Sequence, residues 1–542
     1  IRVLDIYLMS SWGSSMRIYG AIAALSVVTS CGGGGGGNNI TVPVAAAIGG
    51  GSTATTPSSG WIEGQYDSAR SLEGFCANPR ADSAYGDRVG SITDENFWIR
   101  SYSNDTYLWY RELDDIDPGT IDSTGQYFEL MKTDALTETG NPKDQFHFTY
   151  DTEEWELLSQ SGISAGYGWE LAFVSTSPPR SLVVAFNEPN TAASDNNVSR
   201  GAVIVSVDGA AVEDGSADTL NAGLFPSELG ESHTFVVRDL GATETRTVVM
   251  ESMEITSQPV KNVKTVDHNG TKVGYLTFNS HIATAEQQLI TAVNQLKQAN
   301  IDELVVDLRY NGGGYLDIAA ELASMVAGEA ASGRIFEETT FNDKYPSVNP
   351  ITGRNLAPTY FPSTAAGFSA EEGSPLPKLN MSRVFVLASG GTASASEAFI
   401  NGLRGIDVEV ILIGANTRGK PYGFYGIDNC STTYFTIQFK GSNAKGFGEY
   451  SDGFIPVDSD DMSAANVRGC LVEDDLQHAL GDPEEARFAA ALTFMDTGSC
   501  PEGSAASSAK SATGGAQKVY GSADGDIQQP GFPGRILRST RP

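Results

Sequence analysis

The sequence has few basic residues, few histidines and few cysteines. Its 542 residues include 35 Lys and Arg against 67 Asp and Glu, which gives a formal net charge of −32. A surface of this sign repels phosphate backbones, so nucleic acid is excluded as a partner. The five Cys form no C-x-x-C pair and have no His at ligand spacing, so neither a metal site nor a cofactor is predicted.

The apolar run near the N-terminus, Ile18–Val28, is too short to span a bilayer and follows Met16 and Arg17, as the central part of a signal peptide does. It ends in Val28-Thr29-Ser30-Cys31, which resembles the lipobox of bacterial lipoproteins. The resemblance implies that Cys31 is lipidated and that the protein faces the periplasm from a membrane anchor, most simply in the outer membrane. An ordinary secretory signal followed by an unmodified Cys is the alternative.

Composition divides the chain into six segments. Residues 1–31 are upstream sequence and signal peptide, and the Gly-rich residues 32–60 form a flexible linker. Residues 61–158 suit short helices, 159–258 contain short β-rich runs, and 259–500 alternate apolar strands with helices. Residues 501–542 are rich in Ser, Ala and Gly, and we expect disorder. The fold class is therefore mixed α/β, with a helical N-terminal cap, a β domain and an α/β core.

Four cysteines remain after Cys31, and an even number is typical of disulfides in an oxidising compartment. They are Cys76, Cys430, Cys470 and Cys500. Up to two bridges are possible, with free buried thiols as the alternative, and the spacing does not fix the pairing.

The β-rich segment has predicted strands at 181–186, 202–207 and 233–238, with Asp208-Gly209 as a turn. Its order, with a Gly-rich loop at the start and Ser199-Arg200-Gly201 before the second strand, resembles a PDZ domain. Such domains add an extended peptide to a sheet edge and bind its terminal carboxylate on a loop. The resemblance implies that this loop is Tyr167, Gly168, Trp169, Glu170 and Leu171. A small β-barrel that only docks on its neighbour is the alternative.

Three segments of the α/β region carry polar groups where predicted strands end. The first runs from a buried strand into Gly312-Gly313-Gly314, whose backbone N–H groups suit an oxyanion better than a phosphate because no Walker Lys follows. The second, 389–397, places Ser394 at a helix start among small residues. The third, 413–420, ends in Lys420. Taken alone, Ser394 with Glu397 also fits a helix capping box.

Together these segments resemble the carboxyl-terminal processing, or tail-specific, serine proteases, which combine a PDZ domain with a core of the ClpP/crotonase-like type. The resemblance implies that Ser394 is the nucleophile and Lys420 the general base, with Ser396 as the fallback nucleophile. Backbone N–H groups of Gly312, Gly313 and Ala395 would hold the oxyanion. A lysine base must be uncharged to accept the hydroxyl proton, and burial favours that form.

One position departs from the family pattern, because Phe424 stands where a Gln usually orients the lysine. Asn416, Gln438 or Tyr422 could take that role. His281 follows a predicted strand and is a candidate for the substrate site, for support of the catalytic pair, or for the base itself. The other four His are predicted to be structural.

The sequence thus predicts a serine endopeptidase that cleaves envelope polypeptides through an acyl-enzyme, with PDZ recruitment of substrate and a lipid anchor to the membrane. Two alternatives remain open. A catalytically inactive PDZ scaffold would explain Phe424, and an esterase or amidase would use the same serine on small acyl substrates.

Overall fold

A seven-stranded sheet forms the centre of the α/β region in the computed structural model. From one edge to the other its strands are Val260–His268, Thr271–Phe278, Glu303–Asp307, Arg383–Ala388, Glu409–Gly414, Asn466–Leu471 and Ile455–Val457. All neighbouring pairs are parallel except the first, which is antiparallel. The carboxyl ends of the parallel strands therefore meet at one edge, where α/β folds place their ligands.

Both faces of this sheet are covered by helices, which is why its strands are almost continuously apolar. Leu276, Val306 and Val386 point to the face covered by three helices, Ala285–Ala299, Leu316–Ala327 and Ala395–Gly405. Val305 and Phe385 point to the opposite face, against the helix Ala486–Thr497. Because successive side chains of a strand point to opposite faces, these strands contribute apolar residues to both helix-covered layers.

Residues 159–258 form a separate β layer with its own apolar core. Its main sheet contains the strands Trp169–Ser175, Ser181–Asn187, Val203–Val207, Ala210–Ala211, Ser232–Arg238 and Arg246–Glu251. Ile163–Gly166 pairs with Met253–Thr256 in a second small sheet, and the helices are Ala192–Asp195 and Ala217–Leu224. Trp169–Ser175 is the last strand of the main sheet and pairs with a described strand on one side only.

The described part of the N-terminal cap contains four α-helices, separated by loops and short strands. Its helices are Ala69–Leu72, Ile92–Thr106, Thr124–Glu129 and Thr152–Glu156, and its strands are Phe75–Cys76, Arg88–Val89 and Phe148–Asp151. Phe148–Asp151 joins Thr432–Phe435 and Ile427–Asn429 in a three-stranded sheet. The disulfide Cys76–Cys430 links the cap to this sheet, and Cys470–Cys500 is the second bridge. The open question of pairing is thereby resolved.

A further sheet contains Thr359–Tyr360, Ile335–Phe341, Phe439–Ser442, Tyr422–Phe424 and Arg535–Ile536. The chain leaves one sheet at Phe435 and enters another at Phe439. Between them the N–H of Gln438 donates to the Gly423 carbonyl, at 3.0 Å.

The structure describes residues 60–137, 139–175, 178–459, 465–502 and 535–536. The predicted signal peptide, Cys31 and nearly all of the linker lie outside these residues. Within the predicted tail, Arg535–Ile536 pairs with Gly423–Phe424, so disorder does not hold for those two residues. None of the helices in the described segments is long and apolar enough to cross a membrane.

Two glutamates, Glu286 and Glu321, are buried on the helices Ala285–Ala299 and Leu316–Ala327. Glu286 accepts the backbone N–H groups of Gly367, Ser369 and Ala370, at 2.7–2.8 Å. Burial opposes ionisation of Glu286, but these donors outweigh it and lower the pKa of its carboxyl. For Glu321, burial and the neighbouring Glu286 carboxylate raise the pKa to about 8. Glu321 therefore keeps its proton in the fold at neutral pH.

The pKa of Glu321 makes stability depend on pH. Between pH 4.5 and about 8 the folded protein holds a proton that the unfolded chain releases, so the free energy of unfolding falls as pH rises across this window. We expect Glu321→Gln to flatten that fall, measured as Tm against pH. Glu371→Gln, an exposed carboxylate nearby, serves as the control and should keep the wild-type slope. An unchanged slope in Glu321→Gln would contradict the assignment.

Candidate active site

The three predicted loops follow three adjacent parallel strands and meet at the carboxyl edge of the sheet. The Gly loop follows Glu303–Asp307, the Ser turn follows Arg383–Ala388, and the Lys loop follows Glu409–Gly414. Backbone bonds tie them together: the Asn311 carbonyl accepts the Ala393 N–H at 3.1 Å, and the Thr392 carbonyl accepts the Arg418 N–H at 2.9 Å. The structure thus brings the three segments into one site.

A single buried carboxylate holds the Ser turn and the Lys loop in place. Glu397 Oε2 accepts the backbone N–H of Ser394 and that of Lys420, each at 2.8 Å. Its other oxygen accepts the Thr417 hydroxyl at 2.6 Å and the Gly419 N–H at 2.7 Å. Burial raises the pKa of Glu397, whereas its donors act in the opposite direction. The backbones of Ser394 and Lys420 therefore lie side by side on one oxygen atom.

Ser394 occupies an unusual turn immediately before the helix Ala395–Gly405. Its φ of 60° and ψ of −108° lie outside the regions that L-residues favour, so the surrounding bonds must impose them. The residue is buried, and its Oγ has no hydrogen-bond partner among the described residues. The Ser396 hydroxyl, by contrast, donates to the Asn311 carbonyl at 3.1 Å. Of the two candidate serines, Ser394 alone has a hydroxyl without a partner among the described residues.

The Gly loop lies directly against the Ser turn. A Cβ added to Gly313 would stand 3.1 Å from Ser394 Cβ and 3.0 Å from the Ala395 nitrogen, so only Gly fits there. The Gly313 N–H donates to Asn311 Oδ1 at 2.9 Å in this structure, so it already has an acceptor. Ala395 is the first residue of its helix, and its N–H therefore has no acceptor within that helix. Gly312 and Ala395 are thus the candidates for the oxyanion donors.

Lys420 is buried, and its side chain extends between two aromatic rings. Its Nζ lies 4.3 Å from the centroid of Phe424 and 4.7 Å from that of Phe146. Phe424, which departs from the family pattern, therefore contacts the lysine directly. Phe146 belongs to the N-terminal cap, and sequence reasoning missed it because no local pattern connects residue 146 with residue 420.

Three side chains are candidates to replace the missing Gln. Gln438 is buried, its amide oxygen accepts the Tyr425 N–H, and its amide nitrogen donates to the Tyr102 hydroxyl. Asn416 is half-buried in the Lys loop. Tyr422 packs its ring edge-on against Trp109 at 4.8 Å.

His281 lies in the wall of the site, joined to the Gly loop. Its N–H donates to the Gly313 carbonyl at 3.0 Å, and its Nδ1 lies 3.0 Å from Asn311 Oδ1. Because that oxygen accepts from Gly313 as well, Nδ1 carries the hydrogen and Nε2 is the acceptor. Nε2 is buried without a described partner, and burial lowers the pKa of His281 to about 3. The ring is neutral at physiological pH.

Arg200 connects the β domain with the start of the Gly loop. Its guanidinium donates to the Tyr310 hydroxyl at 2.8 Å and to Asp474 at 3.0 Å. The adjacent Arg309 is fully buried and donates to Asp307, Asp474 and Glu485. These bonds anchor the strand end from which the glycines project.

The predicted peptide-binding loop borders a cavity of about 680 Å³. Tyr167 is buried, donates its hydroxyl to the Gly223 carbonyl at 3.0 Å, and begins the turn into the edge strand. All five predicted residues, Tyr167 to Leu171, line this cavity. In the described part of the chain, no group of three His, Cys, Asp or Glu side chains is arranged as a metal site.

Comparisons with known proteins show which proteins this chain is similar to. Residues 272–423 match the model of peptidase family S41. The chain is 28% identical over 209 residues to a carboxyl-terminal-processing protease of Picosynechococcus sp., covering 38% of this chain and 44% of that protein. It is 27% identical over 335 residues to the chloroplastic carboxyl-terminal-processing peptidase 1 of Arabidopsis thaliana, covering 59% and 60%. The chain thus spans about half the length of these relatives.

One solved structure shows the same fold. A Bacteroides fragilis protein described as an S41 protease superposes with a TM-score of 0.52 at 20% identity, covering 74% of this chain and 97% of that one. The predicted α/β fold class is confirmed, and so is the resemblance to the carboxyl-terminal processing proteases.

Glu397 should be the most sensitive residue of this site for stability. We expect Glu397→Ala to lower the free energy of unfolding by about 3 kcal/mol or more, because four buried donors lose their acceptor. Chemical denaturation measures this change. Thr417→Ser is the control, since it keeps the hydroxyl that contacts Glu397, and should stay near wild type. Equal stability of Glu397→Ala and wild type would contradict the role of the carboxylate.

Proposed function

We propose that this chain, which carries a peptidase family S41 domain, is a serine endopeptidase with Ser394 as its nucleophile and Lys420 as its general base. The observation that carries the proposal is the uncommitted Ser394 hydroxyl, held by Glu397 beside the backbone of Lys420. Its strand-to-helix turn and the buried amine-bearing loop are what a Ser-Lys mechanism requires. No cofactor enters the proposed reaction.

The reaction proceeds in two halves. Ser394 Oγ bonds to the carbonyl carbon of the scissile peptide while Lys420 Nζ takes the hydroxyl proton. The N–H groups of Gly312 and Ala395 stabilise the oxyanion, and each lowers the activation barrier by about 3 kcal/mol. Lys420 then gives its proton to the leaving amine, which leaves an acyl-enzyme. Water hydrolyses this ester, with Lys420 again as the base.

The rings of Phe146 and Phe424 take the place of the missing Gln. Lys420 gains a positive charge as it accepts the proton, and an aromatic face attracts an ammonium more strongly than a neutral amine. The two rings therefore stabilise the transition state more than the resting enzyme. His281 Nε2 is an acceptor in the same wall and suits a substrate N–H.

The β domain delivers the substrate. Its edge strand Trp169–Ser175 pairs on one side only among the described strands, and the predicted carboxylate loop lies at its start. An extended peptide can add to this edge as in a PDZ domain. Polypeptide substrates thus bind at Tyr167–Leu171 before they are cleaved.

We also propose a lipid-anchored, periplasm-facing location. Two disulfides in the fold suit an oxidising compartment. Cys31→Ala is expected to move the protein from the membrane fraction to the soluble fraction of a bacterial host. Membrane association that survives this change would sink the anchor proposal.

The inactive-scaffold alternative is not favoured, because Phe424 contacts Lys420 instead of leaving it without neighbours. An esterase or amidase gives no role to the peptide-binding loop. Hydrolysis of small esters without hydrolysis of unfolded protein would revive that alternative.

The nucleophile can be tested by substitution of the two candidate serines. We expect Ser394→Ala to abolish hydrolysis of an unfolded protein while the far-UV spectrum and Tm stay near wild type. Ser396→Ala is the matched control and should keep most of the activity, since its hydroxyl is committed to the Asn311 carbonyl. The reverse ranking would move the nucleophile to Ser396.

The base can be tested in the same assay. Lys420→Ala is expected to lower kcat by about a thousandfold, the magnitude of general-base catalysis. His281→Ala should cost less, since His281 acts on binding alone. A larger loss in His281→Ala would assign the base to the histidine.

The aromatic contacts predict an effect on kcat alone. Phe146→Leu and Phe424→Leu should each lower kcat about fivefold with KM unchanged, because a ring interaction with the charged lysine is lost. Phe146→Tyr keeps a ring and is the control. If the leucine variants raise KM and leave kcat intact, the rings serve substrate binding instead.

A further inference from the structure

The cavity at the edge strand of the β domain has walls from all three regions of the chain. The cap contributes Glu154, the β domain contributes Trp169 and Glu254, and the core contributes Asn279 and Ile282. Glu254 lies in the strand Met253–Thr256, opposite Ala165. The cavity therefore extends from the predicted peptide-binding loop to the strand end of the core.

The cavity wall carries acidic side chains without basic ones. Five carboxylates and no Lys, Arg or His side chain are found among its described lining residues. Two of the five are compensated, since Glu188 pairs with Lys261 and Asp151 accepts the N–H groups of Glu153 and Glu154. Glu154 and Glu254 are exposed, and neither forms a salt bridge with a described residue. The negative charges of these two side chains are therefore available to a ligand that enters the cavity.

Asn279 adds an independent sign of a ligand in the same cavity. It is nine-tenths buried, lines the cavity, and has no described partner for either Oδ1 or Nδ2. A buried amide without partners costs stability, so a partner for it, a ligand group or a water molecule, is expected. One acceptor beside one donor matches the N–H and C=O that an extended main chain presents.

The same short segment connects the cavity with the nucleophile. Asn279 and Ile282 line the cavity, while His281 between them donates its N–H to the Gly313 carbonyl. Gly313 packs against Ser394 Cβ. A peptide that contacts Asn279 therefore lies beside the segment that contacts the Gly loop next to Ser394.

We propose that this cavity is a substrate channel for basic polypeptide segments, in which Asn279 binds the main chain and Glu154 and Glu254 bind Lys or Arg side chains. The inference rests on the proposed endopeptidase function and names the substrate class of that site. The net charge of −32 acts in the same direction at long range, by steering cationic chains toward the protein.

Binding to the full-length Ser394→Ala variant tests the proposal without turnover. The probes are fluorescent peptides with one common C-terminal sequence that differ only in having Lys, Gln or Glu at the internal positions. We expect the Lys peptide to bind about tenfold more tightly than the Gln peptide at low salt, and the Glu peptide to bind most weakly. High salt should reduce the difference, because exposed charges are screened.

Two sets of variants separate the two contacts. In Glu154→Gln/Glu254→Gln the Lys preference should fall to about twofold, with Gln-peptide binding unchanged. Glu251→Gln, an exposed carboxylate outside the cavity, is the control. Asn279→Ala should weaken all three peptides about tenfold and leave the preference intact, as expected for a lost main-chain hydrogen bond.

Each result decides a separate claim. Equal binding of the Lys and Gln peptides, or a preference that survives in the double variant, overturns the channel's specificity. Unchanged binding in Asn279→Ala overturns the main-chain contact. Wild-type protein that binds the Lys peptide preferentially but cleaves none of the peptides leaves the channel standing and refutes the endopeptidase. Cleavage of the Lys and Gln peptides with equal kcat/KM would support the endopeptidase and refute the channel's preference for basic segments.

Discussion

The structure of the site depends on one carboxylate with no access to solvent. Glu397 satisfies N–H groups from both the Ser turn and the Lys loop, and it can do so only because the two strands that carry these loops are neighbours in a parallel sheet. A charge in such a place is tolerated only when surrounded by donors. The same donors hold Ser394 in a conformation that an unconstrained serine would leave.

Much of the fold could be predicted because parallel strands covered on both faces read as continuous apolar runs. The strand from Arg383 and the helix that follows Ser394 are examples. The role of Glu397 was harder to interpret from the sequence. Its spacing from Ser394 indicated a helix capping box, which would give Ser394 a structural role instead of a catalytic one. The carboxylate does bind the Ser394 N–H, but the Ser394 hydroxyl has no hydrogen-bond partner in the part of the chain that the structure describes.

Other features required the tertiary structure. The contact of Phe146 with Lys420 joins residues far apart in the chain. Gln438 likewise donates to the hydroxyl of Tyr102, which belongs to the cap. Neither follows from local periodicity, since both depend on where the cap packs. The free amide of Asn279 was equally hidden, because a sequence shows a polar residue after a strand but not which of its atoms lack partners.

The disulfide between Cys76 and Cys430 spans 354 residues. During synthesis the cap emerges first, yet its covalent partner follows only after the Ser turn and the Lys loop have been made. Closure of this bond therefore follows the synthesis of both loops, so the covalent attachment of the cap to the core is a late event in biogenesis.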